Sequence, residues 1–252
     1  MEAQPLPPAE HFPVSASLPT PDALCATIAA AYPIAPPLQC QLWFAGTTDT
    51  YLVTTHHARY MLRLYQAGSR TDGEVRFELS VLHHLHRKGF AVAVPIRRRD
   101  GAWFGTLAAP EGPRQQVLFT YAPGREAYDE DGFAERFGRS IAALHTATDD
   151  FQSRHPRFQL DCTILLDRPL RWIQPLLAHR PTDWQNLCAI ATRLRQRVEA
   201  HAIRGLSWGF CHGDALGSNT HRDADTLTHF DFNDCGFGWR AYDLATYLWI
   251  IS

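Results

Sequence analysis

Apolar positions along this chain fall into two regimes. From Leu38 to Tyr121 they recur largely at every second residue, as in half-buried strands; elsewhere they recur at three and four, as on amphipathic helices. Ahead of the strand-rich stretch, Thr20-Pro21-Asp22 predicts a short helix running through DALCATIAAAY. Thr20 can cap it, Pro21 suits its first turn, and Asp22 favours its positive end. Pro36-Pro37 then separates it from a hairpin predicted over residues 38–45 and 51–55, around Gly46-Thr47-Thr48-Asp49-Thr50. Residues 59–65 form the next strand. A helix over 71–88 follows, with Val75, Leu79, Leu82 and Leu85 as its stripe and Gly89 as its stop. Strands are expected at 91–96, 102–107 and 116–121, with 108–114 as a loop because it carries two prolines and a glycine. Ala122-Pro123-Gly124 breaks the pattern.

Beyond that break the period is helical. Residues 132–147 place Phe133, Phe137, Ile141 and Leu144 on one stripe; further helices are predicted at 168–177, kinked at Pro175, and at 183–201. The period returns to two in strands at 206–211 and 226–232, joined through the turn Arg222-Asp223-Ala224-Asp225. An apolar helix over 244–251 closes the chain.

Composition narrows the function classes. A chain of 252 residues buries a sizeable core, and a formal charge of −2 makes no electrostatic case for nucleic acid or an anionic membrane. Six scattered cysteines without a CxxC pair point to free thiols in a reducing compartment. The N-terminus has no basic region followed by an apolar run, and no stretch approaches the roughly 20 apolar residues of a membrane span. The expectation is a cytoplasmic protein. His83, His84 and His86 do not make a metal site, because His84 points away from the other two and no carboxylate completes the set.

The chemistry concentrates in GFCHGDALGSN and THFDFNDCGFGWRAYD. Asn219 follows Asp214 at +5 and Asp231 at +17. A loop of the form HxD-x4-N, followed by a strand ending in Asp-Phe, is how kinases place a base and metal ligands. Asp214 would accept or orient a hydroxyl proton. The Asn219 amide oxygen and the Asp231 carboxylate are hard oxygen donors suited to Mg2+, and His212 braces the loop. Two further charges stand at apolar positions: Arg63, mid-strand, and Glu78, on the stripe of the 71–88 helix. Each needs a partner if buried, and each is the other's natural candidate, with Glu74 as the fallback.

HGDALGSN followed by HFDFNDCGFGWRAYDLA resembles the aminoglycoside phosphotransferase/choline kinase-like family, which includes homoserine kinase-like and stress-response kinase-like proteins. The resemblance implies an α+β, protein-kinase-like two-lobed fold, with a small antiparallel-sheet N-lobe carrying one helix and a mainly helical C-lobe. Residues 1–37 would be a proline-rich arm and short helix, 38–121 the nucleotide-binding lobe, and 122–252 the catalytic lobe. It implies ATP and Mg2+ as cofactors, a small-molecule hydroxyl as acceptor, Arg63 and Glu78 toward the nucleotide phosphates, and backbone groups of Thr120, Tyr121 and Ala122 at the adenine. Asp243 would brace the catalytic loop. The pattern departs at Asn233, where relatives carry Asp, and at Thr220-His221-Arg222, where they show an apolar strand. The chain also stops at Ser252, where relatives continue through more helices, so a C-terminally shortened protein with an incomplete substrate pocket is expected. A degenerate kinase-like binding or regulatory protein is the alternative reading; a Ser/Thr protein kinase is weaker, because no activation segment with APE is present.

Overall fold

The computed structural model describes residues 13–36 and 38–250. The expected arm therefore lies outside the described residues up to Phe12, as do Pro37, the last position of the expected C-terminal helix, Ile251, and Ser252. The described residues form two compact units, one within Met1–Asp72 and Pro95–Tyr121, the other within Gly73–Val94 and Ala122–Ser252.

The first unit is an antiparallel sheet with one helix on it. The helix is α1 (Pro21–Ala31). The strands are β1 (Gln39–Ala45), β2 (Thr48–Thr54), β3 (Arg59–Tyr65), β4 (Gly105–Ala109) and β5 (Gly112–Thr120), in the order β1-β2-β3-β5-β4. Alternation decides the buried face: Tyr51 and Val53 from β2, Leu62 and Leu64 from β3 and Leu118 from β5 close over Leu24 and Ile28 of α1. Each such side chain contributes about 1.5–3 kcal/mol by leaving water. Thr20 precedes α1 in an extended conformation, yet its side chain makes no capping bond; its carbonyl takes the Leu24 N–H instead.

Two expectations fail here for identifiable reasons. Residues 91–96 are not a sheet strand. Val92 makes one isolated bridge to His229 and Pro95 one to Phe119, and Pro95 has no N–H with which to continue a ladder. Residues 108–114 are not a loop but the β4–β5 hairpin, turning at Pro110-Glu111. Pro113 is tolerated in β5 because the register with β3 ends at Gln116, so no β3 partner asks for its N–H.

The second unit is mainly helical. Its helices are α2 (Asp72–Arg87, whose first residue ends the first segment of the first unit), α3 (Phe133–Ala147), α4 (Arg168–Ile173), α5 (Pro181–Ile203) and α6 (Ala241–Ile250). A π-turn precedes α4, and a short 3-10 turn at Pro175 follows it, where the sequence predicts the kink. The strands are β6 (Gln159–Leu160), β7 (Trp208–Cys211), β8 (Thr220–Asp223), β9 (Thr226–His229) and β10 (Gly236–Trp239), paired as β6-β10-β7 and β8-β9. Phe133, Phe137 and Ile141 of α3 form a core with Ala215 and Leu227. Phe77, Phe151, Phe210 and Phe237 make edge-on and stacked ring contacts nearby. No helix among the described residues is long and apolar enough to cross a membrane.

At the end of β9, His229 is buried with its Nε2 against Ser140 Oγ at 2.7 Å. Burial, and then the neighbouring His212, push its pKa down to about 3. The folded chain therefore holds it neutral while the unfolded chain protonates it below its ordinary value of about 6.5. Stability should fall as pH drops from there toward 3, with a slope approaching about 1.4 kcal/mol per pH unit from this group. Urea midpoints measured across that range should show the slope in wild type and lose most of it in His229→Gln.

Candidate active site

β7 delivers the chain into the loop that carries Asp214. Gly213 takes φ +83, and a Cβ there would lie 2.0 Å from the Asp234 carbonyl oxygen, so both conformation and space require glycine. Asp243 of α6, fully buried, holds the loop in place. Its Oδ2 accepts the His212 N–H and its Oδ1 the Gly213 N–H, both at 2.9 Å, and Oδ2 also meets His145 Nε2 of α3 at 2.8 Å. Cys211 lies close enough to complete a three-ligand cluster with this pair. Both Asp243 oxygens are already engaged by the loop N–H groups and His145, so the cluster serves as a brace. Gly213→Ala should lower the melting temperature, at a cost of about 3 kcal/mol from strain plus clash, whereas Gly138→Ala, with nothing within 4 Å of its Cβ position, should not. Differential scanning calorimetry on both variants checks this.

His212 braces the loop as its position predicts. Its Nδ1 accepts the Asp214 N–H at 3.4 Å, which leaves Nε2 to donate to the Phe230 carbonyl at 3.1 Å. Its ring packs on Phe232 at 4.2 Å. The Asn219 amide nitrogen donates to both the Asp214 carbonyl (2.9 Å) and Oδ2 (2.8 Å), so the Asn219 side-chain oxygen is the atom left for a cation. The Phe230 N–H donates to the Asn219 carbonyl at 3.0 Å, tying the end of the hairpin back to the loop. Sequence reasoning ran the last strand to 232. It stops at His229, and Asp231 stands just beyond in the left-handed region at φ 64, ψ 57, one of two non-glycine residues with positive φ among those described. Asp tolerates that conformation because its short side chain bonds locally.

The electrostatics join these groups. Burial raises the Asp214 pKa; the Asn219 hydrogen bond and His212 oppose this, and Asp231 and Asp234 add to it. Tyr242 is raised by burial and then by Asp234, Asp214 and Asp243. Asp214, Asp231 and Asp234 thus share one field of like charge. The side-chain donors these residues and Asn219 offer are all oxygens, the type a hard divalent cation favours. Asp234 was not singled out by sequence reasoning, although it sits three residues after Asp231. Arg157, also missed, donates to the carbonyls of Cys235 (2.6 Å) and Asn233, fixing the segment after Asp231. Asn233 itself is buried.

The remaining expected residues are placed as follows. Arg63 on β3 is buried within the first unit, its guanidinium 5.2 Å from the Phe119 ring centroid. Glu78 on α2 is buried within the second, as its stripe position predicts. Thr120 ends β5, and the Tyr121 ring carries the Arg59 guanidinium at 3.9 Å. The Ala122 carbonyl meets His221 Nδ1 at 2.8 Å. β8 forms despite its polar Thr-His-Arg sequence.

Residues 44–252 match the phosphotransferase enzyme family. An uncharacterized protein of Deinococcus radiodurans is 40% identical over 242 residues, covering 96% of this chain and 70% of the relative. A homoserine kinase of Sinorhizobium medicae is 27% identical, covering 78% of this chain and 58% of the enzyme. Among solved structures, an amicoumacin kinase in complex with AMP-PNP, Ca2+ and Ami superposes with a TM-score of 0.71 at 20% identity, over 90% of this chain and 68% of that one. The fold is protein-kinase-like, and the chain belongs to the phosphotransferase enzyme family.

Proposed function

We propose that this chain transfers the γ-phosphate of ATP to a hydroxyl of a small molecule of the aminoglycoside, homoserine or choline type, with Mg2+ as the metal. The observation that carries the reading is the Asp214–Asn219 hydrogen bond beside Asp231 and Asp234. A carboxylate with oxygen-bearing side chains near it supports a role for Asp214 toward the acceptor hydroxyl. Asp214 orients the hydroxyl and takes its proton; the Asn219 oxygen and Asp231 would hold the metal. When bound, Mg2+ supplies positive charge to the β- and γ-phosphate oxygens. Arg63 is a cation for the nucleotide phosphates, Glu78 a supporting carboxylate, and the backbone of Thr120, Tyr121 and Ala122 the adenine edge. Residues 38–121 form the nucleotide-binding part, and 122–252 the catalytic part. Six unbridged thiols suit a reducing compartment, which favours the cytoplasm.

The test is calorimetric titration of ATP with and without Mg2+, followed by an ADP-release screen over amino alcohols and aminoglycosides. Metal-dependent binding with acceptor-dependent ADP release supports the reading. No binding by the wild-type chain overturns it in favour of a kinase-like binding protein without turnover.

A further inference from the structure

A carboxylate occupies a core position in the first unit. Asp49 shares its strand face with Tyr51 and Val53, and all three are buried. A hydrophobic residue there would pack; a charge there is costly unless paired. Its partner is Arg114 of β5, fully buried, whose Nη2 donates to Asp49 Oδ2 at 2.6 Å. Arg114 also donates to the carbonyls of Tyr65 (2.9 Å), Leu64 (3.3 Å) and Ser17 (2.8 Å). The charge is thus fixed from several sides. Buried ion pairs of this kind are weak evidence for stability, and apolar replacements often match them. A local rule broken in a core position therefore asks what else the pair does.

The answer lies one residue away. The predicted hairpin turn spans Gly46–Thr50, but β2 begins at Thr48, so the turn is only Gly46-Thr47, closed by a Gly46 N–H bond to the Thr48 carbonyl at 3.2 Å. From the end of β3, the Gln66 amide nitrogen donates to the Gly46 carbonyl at 3.2 Å and to Asp49 Oδ1 at 3.3 Å. One side-chain amide therefore links an exposed turn to a buried, immobile charge.

We propose that Gln66 is a positioning residue that fixes the Gly46-Thr47 turn against the Asp49–Arg114 pair, so that the turn's remaining backbone N–H, that of Thr47, is set for nucleotide phosphate. This rests on the phosphotransferase reading, with residues 38–121 as the nucleotide-binding part. Holding the turn before the nucleotide arrives removes an ordering cost from binding and leaves the chemical step alone. Gln66 is partly exposed, so its replacement leaves the buried pair in place.

The experiment compares Gln66→Leu, which keeps bulk and loses both donors, with Gln66→Lys, which restores a donor. Amide hydrogen exchange on the nucleotide-free chain should rise several-fold across residues 44–49 in Gln66→Leu, with the rest of the sheet unchanged. The KM for Mg-ATP should rise about five- to tenfold while kcat moves less than about twofold, and Gln66→Lys should recover both readouts in part. Unchanged exchange in Gln66→Leu, or a loss of kcat at constant KM, overturns the proposal. If the wild type does not bind Mg-ATP, the phosphotransferase reading and the phosphate role fall together, while the exchange measurement still decides whether Gln66 holds the turn.

Discussion

Asp214→Asn is expected to lower turnover by about a thousandfold while Mg-ATP affinity stays within about threefold of wild type. The substitution is close to isosteric. An asparagine side-chain oxygen can still accept the Asn219 amide N–H that now bonds Asp214 Oδ2 at 2.8 Å, so the loop geometry survives. What is lost is the group that accepts the acceptor's proton. The pH profile sharpens the test. Burial and the neighbouring Asp231 and Asp234 hold the Asp214 carboxyl above its ordinary range, and a base works only when ionised. The acid limb of the wild-type kcat/KM profile, which reports the free enzyme, should therefore lie above the usual aspartate range, with activity rising as pH rises through it. The residual activity of Asp214→Asn should lack that limb. The stability sign is opposite: a raised carboxyl binds its proton more tightly in the folded chain, so its contribution weakens as pH climbs from the ordinary value through the raised one. Steady-state rates against pH with Mg-ATP varied measure the limb, and urea midpoints against pH measure the stability sign. Turnover within tenfold of wild type in Asp214→Asn would exclude the carboxylate as the base.

Much of this arrangement was legible because its signals are local. The spacing of Asp214, Asn219 and Asp231 sits in a single loop and hairpin, and the stripe position of Glu78 follows from helix period alone. The features that escaped depend on partners distant in sequence. Gly236 and Gly238 look like a loop, yet β10 is a strand whose glycines admit β6: a Cβ at Gly236 would lie 2.8 Å from the Phe158 carbonyl, and one at Gly238 2.6 Å from the Leu160 Cβ. Pro110 and Pro113 suggested a loop, because nothing local says where the β3 register ends. Asp49 looked like a turn residue, since its partner Arg114 lies 65 positions on. Arg157 supports the Asp231 segment from 76 and 78 positions before its acceptors, Asn233 and Cys235. Periodicity finds faces; it does not find the long-range hydrogen bond that makes a polar residue on such a face acceptable.

Asp231→Asn should weaken Mg-ATP binding by about a hundredfold or more and leave the weak metal-free binding of ATP unchanged. The choice of asparagine matters. Asp231 holds a left-handed backbone conformation at φ 64, which asparagine also tolerates and alanine resists. Asp231→Asn therefore subtracts one charge without forcing a new backbone, whereas Asp231→Ala mixes lost ligation with added strain. The distinguishing readout is stability without metal. Asp231 pushes the Asp214 carboxyl up, so the wild-type cluster of like charges opposes folding until a cation neutralises it. Removing one of those charges should leave the metal-free variant melting no lower than wild type, while Mg-ATP raises the wild-type midpoint and fails to raise the variant's. A purely structural Asp231 predicts the reverse: a lower midpoint in the absence of metal, and the same rise with Mg-ATP in both proteins. Thermal melts of the two chains, with and without Mg-ATP, separate the two accounts.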